Sequence, residues 1–149
     1  MGTRSAIGYR KPDGSVRAVY CHWDGYPKHQ LPILEKHYSG TRKVQALIKP
    51  GSMSTLRTRR VWGPSDILLV NDEPVRDDEG YLRYVTDRDP QPLYHRERGA
   101  IGPNYAEPAV TSDNPTHTWF YEHDCEYLYV WEPYGKTWTV YSANDPFDS

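Results

Sequence analysis

Residues 20–29, Tyr-Cys-His-Trp-Asp-Gly-Tyr-Pro-Lys-His, are the densest concentration of chemically versatile side chains in the sequence. The rings of Trp23 and Tyr26 could stack on a nucleobase, and Gly25 would let the backbone approach a ligand closely. Because the segment leads from a predicted strand to a helix N-terminus, its unpaired backbone N–H groups should also attract an anion. We therefore expect a small anionic, nucleotide-like ligand here. The expected ligand-binding residues, with two guanidinium groups to neutralise phosphate, are Trp23, Asp24, Gly25, Tyr26, His29, Arg96 and Arg98.

The same turn has a purely structural interpretation. Trp23 and Tyr26 could close the core over the following helix, with Asp24 capping that helix. Gly25 would then supply a positive φ angle. Both interpretations remain open at the level of sequence.

A small nucleotide-acting hydrolase or transferase is the alternative function, with His22, Asp24 and His95 as candidate catalytic residues. Cys21 as a nucleophile would need an aligned base, but adjacent strand residues point to opposite faces, so Cys21 and His22 cannot readily pair. His95 and Glu97 could share a face, although an Arg-Glu-Arg run is more typical of a salt-bridged strand. We expect binding rather than catalysis.

A metal site is not expected, because the possible ligands follow no established zinc spacing and lack a Cys pair. The same holds for a second loose group made of His117, His123 and Asp124. No cofactor is expected either. The possible ligands in the first group, which fall within 16 positions, are His22, Asp24, His29 and His37.

The elements that must position these side chains begin with a predicted hairpin over residues 6–22, whose turn is formed by residues 12–14. Leu31, Leu34 and Tyr38 then fall at helical spacing, with Pro32 tolerable in a first turn. Thr41 should cap a second short helix that ends at residues 50–51. We expect both helices to cover one face of the sheet.

The second half of the chain holds a long irregular region and the clearest hairpin. The polar and charged composition of residues 57–90 predicts an inserted region made mostly of loops. Within it we expect a buried strand or helical turn at 67–70 and at most a short hairpin near 80–82. Proline and glycine make regular structure improbable over 100–115. In the hairpin of residues 126–141, alternation places Leu128 and Val130 on one face, opposite the aromatic side chains of Tyr127, Tyr129 and Trp131.

These elements predict an α+β fold. An antiparallel sheet from the N- and C-terminal hairpins would carry two short helices on one face and long irregular loops. We expect a single domain over residues 1–141 and a flexible tail over 142–149.

Composition narrows the classes of partner. With 18 Lys and Arg against 20 Asp and Glu, the net charge of -2 gives no strong nucleic-acid signal and rules out a DNA mimic. The apolar runs are far shorter than the roughly 20 residues of a membrane span, and the N-terminus predicts neither export nor lipidation.

Two cysteines favour buried free thiols in a reducing compartment. The chain has 13 tyrosines and 5 tryptophans, whose rings are apolar but carry a polar group. This composition favours a partly solvated recognition surface or a homo-oligomer contact.

The residue 20–27 motif resembles a family of small proteins of tailed phages and prophages. The shared features also include a Thr-Arg-Ser start at residues 3–5, a helix ending in His37-Tyr38, the 94–99 segment, and the 126–130 strand followed by Trp138. The resemblance implies a phage origin and a host-cytoplasm setting, and it implies no mechanism. Together with the turn, it suggests a phage accessory protein of the host-takeover or anti-defence type. Such a protein would engage a host protein or sequester a small anionic ligand; a structural, oligomer-forming phage component is a further alternative.

Overall fold

A computed structural model describes residues 3–57, 68–82, 92–95 and 107–143, and these residues form an α+β fold around one main sheet. The strands are Ser5–Arg10 (β1), Val16–Trp23 (β2), Met53–Thr55 (β3), Leu69–Val70 (β4), Glu73–Pro74 (β5), Leu93–Tyr94 (β6), Val110–Ser112 (β7), Tyr127–Glu132 (β8) and Thr137–Ser142 (β9). The helices are Pro27–His37 (α1), Thr41–Ile48 (α2) and Pro115–His117 (α3), the last continuing as a π-helical turn at Thr118–Glu122. The predicted fold class is confirmed.

The main sheet is mixed. Its strand order is β6-β3-β2-β1-β8-β9, with β7 pairing with β2 as well. The two predicted hairpins, β1–β2 and β8–β9, are antiparallel, but β8 lies parallel to β1 and β3 lies parallel to β2. The parallel β2–β3 pair follows from the intervening helices, because parallel neighbours need a crossover connection of that length. The sequence analysis expected an antiparallel sheet, and the two parallel pairs correct that expectation.

Helices α1 and α2 cover one face of the sheet, as predicted. Ile33, Leu34 and Val44 from the helices pack with Tyr129 and Trp131 from β8 in one buried cluster. The predicted alternation on β8 is confirmed, because Leu128 and Val130 belong to the cluster on the opposite face. Tyr129 is fully buried and Trp131 is 4% exposed, so this aromatic face is core rather than a recognition or oligomer surface.

The opposite face of the sheet is covered by the π-helical turn. Trp119 and Phe120 pack there against the small side chains of Ala6 and Ala18. Small residues on β1 and β2 leave room for the two large rings, so the sheet is covered on both faces. Gly8 is required for a different reason, because a Cβ atom there would clash with the backbone of Arg17 and Ala18 on the neighbouring strand β2.

The helix ends differ from the expected ones. The residue before α1 is Tyr26, which makes no side-chain capping bond, and Pro27 takes the first helical turn. Because α1 begins at Pro27, Pro32 lies inside the helix rather than in its first turn, and its ring is exposed to solvent. The capping residue of α2 is Gly40, so Thr41 is the first helical residue and accepts a hydrogen bond from Trp131 Nε1 at 3.2 Å.

The described part of the predicted loop elaboration, residues 68–82, forms a small separate ladder of β4 and β5, followed by a bridge between Arg76 and Leu82. Leu69 and Val70 are strand residues, but they are exposed rather than buried. Strand β9 runs to Ser142, one residue into the predicted tail, and residues 144–149 lie outside the described ranges. Within those ranges, every helix is too short and too polar to traverse a bilayer.

Candidate functional site

The turn between β2 and α1 has an unusual backbone. Asp24 adopts a positive φ of 59°, the left-handed conformation that Asp and Asn tolerate better than most residues. Gly25 is buried, and a Cβ atom there would lie 2.6 Å from the side chain of Ser5. The glycine is thus required for close packing rather than for a positive φ, and Asp24 does not cap the helix. Both details correct the structural interpretation of this turn.

The N-terminal segment of residues 3–5 and strand β8 hold the turn on its buried side. The Gly25 N–H donates to the Thr3 carbonyl oxygen at 2.9 Å, and the Gly25 carbonyl accepts from the Tyr129 hydroxyl. Gln30 is fully buried and donates from Nε2 to Ser5 Oγ at 2.9 Å. Backbone and buried side chains therefore fix the position of this turn on β1 and β8.

Above this support, two aromatic side chains point outward. Trp23 is 43% exposed and Tyr26 is 41% exposed. The Trp23 indole meets the His22 imidazole edge-on, with ring centroids 4.6 Å apart, while the Tyr26 ring lies 5.8 Å from that of His29. His29 itself is anchored, because its Nε2 donates to the Leu56 carbonyl oxygen at 2.8 Å. We call the group formed by the exposed Trp23 and Tyr26 and the half-buried Asp24 the turn surface.

Several backbone positions of the turn cannot donate to an anion. Pro27 has no N–H, and the Gly25 N–H is bound to Thr3. The N–H groups of His29 and Gln30 both donate to the Tyr26 carbonyl, at 3.1 and 3.0 Å. Arg96 and Arg98, the expected phosphate partners, lie outside the described residues. The turn surface thus offers aromatic rings more than anion donors.

An open cleft of about 600 Å³ lies beside Trp23. Arg4 Nη1 makes an ion pair with Asp124 Oδ2 at 2.7 Å across it, and the Asp124 side chain is 85% exposed. Glu126 adds a second carboxylate and is not balanced by another cation among the lining residues. The full lining, which we call the turn cleft, is Arg4, His22, Trp23, Phe120, Asp124, Cys125, Glu126 and Ala143.

The three catalytic candidates are held by different parts of the sheet. His22 Nδ1 is hydrogen-bonded to the Tyr20 hydroxyl at 2.7 Å, and Asp24 Oδ2 accepts from Thr55 Oγ1 at 3.3 Å. His95 Nδ1 is bonded to Ser52 Oγ at 3.0 Å. The described contacts therefore do not join these side chains into one catalytic group.

Burial and charge set the protonation of His22 and its partner. Burial, assisted by the nearby Arg4 guanidinium, lowers the pKa of His22, whereas burial raises the pKa of Tyr20 to about 12. His22 is thus neutral and Tyr20 protonated at neutral pH. The cleft gains no positive charge from this imidazole.

Both thiols are buried and free. Burial raises the pKa values of Cys21 and Cys125 to about 12 each, so neither is a thiolate at neutral pH. Cys21 Sγ lies 3.7 Å from Gln30 Oε1, its weak hydrogen-bond acceptor in the core. The core position inferred for Cys21 is confirmed, and the structure gives it no nucleophilic role.

A cation site does not emerge from the described part of the chain, where no three His, Cys, Asp or Glu side chains form a group able to hold a metal ion. Of the four ligands considered in the sequence, His22, Asp24 and His29 are engaged with Tyr20, Thr55 and Leu56. These bonds tie the side chains to their own elements.

Sequence reasoning missed Arg4, Asp124 and Glu126 as parts of this site. Arg4 belongs to the Thr-Arg-Ser segment, which was the available signal, but it becomes a neighbour of Asp124 only because β1 and β8 run parallel. Comparison with protein-family models, with curated proteins and with solved structures found no match for this chain.

Proposed function

We propose that this chain is a binding protein that engages a protein partner through the turn surface and the adjoining turn cleft. The single observation that supports this proposal most strongly is the exposure of Trp23 and Tyr26 on a turn fixed from beneath. Large aromatic side chains dominate the binding energy of protein interfaces, and a rigid support lowers the entropy lost on binding. This combination favours binding over catalysis.

The charge of the site favours a cationic partner segment. Asp124 and Glu126 line the turn cleft, Asp24 lies in the adjoining turn, and Arg4 is already paired with Asp124. Since His22 is neutral, a negative potential remains beside the Trp23 ring. A partner side chain of Arg or Lys could lie over the indole and interact with the carboxylates at the same time. Within the described ranges, these charges favour a cation over an anion.

The resemblance to tailed-phage proteins supplies the setting of the proposal. It implies that the partner is a host protein and that the chain acts as an accessory factor during infection. The proposed role is therefore occupancy of a host surface by the aromatic turn, without chemical change in the partner.

Selection of peptides from a random displayed library tests this proposal. Peptides retained on the wild-type protein, after depletion on a Trp23→Ala/Tyr26→Ala double variant, should combine Arg or Lys with an apolar residue. Their dissociation constants should rise about tenfold or more in Trp23→Ala, since a buried interface aromatic typically contributes that much. Tyr134→Ala removes another exposed aromatic side chain, on the β8–β9 turn, and should bind normally.

Charge gives a second readout in the same experiment. Affinity should fall with added salt and in an Asp124→Asn/Glu126→Gln variant. Recovery of mainly acidic peptides, or peptides that bind the double variant as well as the wild type, would contradict the proposal.

A further inference from the structure

A second cleft, on the helical face of the sheet, has the opposite chemistry from the turn cleft. Its volume is about 320 Å³. Tyr9 and Arg17 face each other across the β1–β2 register and form its floor, and the C-terminal half of α2 forms one wall. The lining residues, which we call the basic cleft, are Tyr9, Arg17, Gln45, Ile48, Lys49, Pro108 and Ala109.

Arg17 and Lys49 are the two basic side chains that line the basic cleft. Arg17 Nη1 donates to the neutral hydroxyl of Thr111 at 3.2 Å, which leaves its other N–H groups for a ligand. Lys49 is exposed at the end of α2, and none of the lining residues is a carboxylate. Glu107 directly precedes the lining residue Pro108 in the chain, and its side chain is exposed to solvent.

The surrounding helical layer strengthens this positive potential. Between residues 27 and 51, Glu35 is the only acidic residue, and the five basic residues are Lys28, Lys36, Arg42, Lys43 and Lys49. Residues 113–126, on the opposite side of the sheet, hold four acidic residues and no Lys or Arg. In the part of the chain that the structure describes, the helical layer is thus the more basic side of the sheet and residues 113–126 are the more acidic side, which favours an anion on the helical side.

We propose that the basic cleft binds a mononucleotide-like ligand, meaning a planar heteroaromatic ring that carries phosphate. Tyr9 provides a ring face for stacking, and the Gln45 amide offers both a donor and an acceptor for a base edge. Arg17 and Lys49 bind the phosphate. The volume lies near the lower end of the roughly 300–1,000 Å³ found for small-molecule pockets, which suits one nucleotide rather than a dinucleotide. This site does not depend on the turn surface.

Titration calorimetry with adenosine 5′-monophosphate, adenosine and inorganic phosphate tests the assignment. The monophosphate should bind more tightly than either fragment, and its affinity should fall with ionic strength. Arg17→Gln and Lys49→Gln should each weaken its binding about tenfold or more, because each removes a charged hydrogen bond. Lys43→Gln, which removes an exposed cation of α2 outside this cleft, should leave binding unchanged.

Three results would overturn the assignment. One is the absence of heat with adenosine, guanosine, cytidine and uridine monophosphates at millimolar concentration, for a protein whose circular dichroism shows it folded. Another is nucleotide binding that survives both Arg17→Gln and Lys49→Gln. Binding lost in Trp23→Ala but kept in Arg17→Gln would instead place the nucleotide in the turn cleft.

Discussion

The hydroxyl of Tyr129 donates a hydrogen bond to the carbonyl oxygen of Gly25, 104 residues earlier in the chain. Tyr129 is fully buried beneath α1 and α2, and burial raises the pKa of its phenol, so the hydroxyl remains a donor. Through this bond β8, the first strand of the C-terminal hairpin, holds the turn between Trp23 and Tyr26. This hydrogen bond therefore links the buried core to the exposed turn.

Tyr129→Phe removes this bond and keeps the ring. The Gly25 carbonyl then loses its buried donor, and we expect the free energy of unfolding in urea to fall by about 1–3 kcal/mol. Tyr134→Phe, at a side chain that is 87% exposed, should change it by less than about 0.5 kcal/mol. Equal stability of the two variants would show that the bond does not support the turn.

Gly25→Ala tests the close contact between the turn and β1. A Cβ atom at this position would lie 2.6 Å from Ser5 Oγ and 2.8 Å from the Thr3 carbonyl oxygen, so backbone must shift. We expect a loss of roughly 1–3 kcal/mol, as for other overpacked sites. Gly40→Ala is the matched control, because Gly40 has an extended φ of 166° and its nearest neighbour is a flexible Lys43 carbon at 3.8 Å. A thermal melt that shifts equally for both variants would contradict the packing argument.

Thiol chemistry reports on the two buried cysteines. With pKa values raised to about 12 by burial, Cys21 and Cys125 should react with iodoacetamide at pH 7.5 far more slowly in the native protein than in urea. Mass spectrometry of the alkylated protein should show both sites modified only after unfolding. Rapid native modification of Cys21 would reveal an activated thiol and would revive the nucleophile hypothesis.

Protonation of His22 should reduce stability at acid pH. Because burial and Arg4 lower its pKa in the folded state from 6.5, the unfolded chain binds more protons in the window just below pH 6.5. This contribution to stability is fully present above pH 6.5 and is lost as the pH falls toward the lowered value. His22→Gln should therefore show a smaller loss of unfolding free energy than the wild type between pH 7 and pH 5.

A proton titration of the His22 ring by NMR gives the direct control. The midpoint in the native protein should lie below the midpoint measured in urea. A native midpoint above the urea value would reverse the sign of the effect and contradict the burial of this ring.

Local patterns predicted the elements near the site well. The alternation of apolar and aromatic residues on β8 and the helical spacing of Leu31, Leu34 and Tyr38 both identify faces that pack into the core, because burial follows periodicity along one element. The parallel pairing of β1 with β8 lies beyond such patterns, since it is decided by how distant segments pack. That pairing brings Arg4 to Asp124 and Tyr129 to Gly25, which explains why half of the site went unnoticed.

Amino-acid composition predicted the solvent-exposed surface less well. Tyrosine enrichment suggested an exposed aromatic face, yet the face that carries Tyr129 and Trp131 is core. Among the described residues, the exposed rings are spread over several turns, at Trp23, Tyr26, Tyr81, Tyr121 and Tyr134. Composition also hid the separation of charge, because a near-neutral sum says nothing about which side of a sheet each charge occupies.

Photo-crosslinking tests the proposed role of the turn surface most directly. With p-benzoylphenylalanine in place of Tyr26, irradiation in bacterial lysate should give one dominant adduct with a single protein, and adding Trp23→Ala should abolish it. The same probe in place of Tyr134 should give no such adduct. An identical pattern of adducts from both positions, or a Tyr26 adduct that survives Trp23→Ala, would contradict a partner bound at the turn surface.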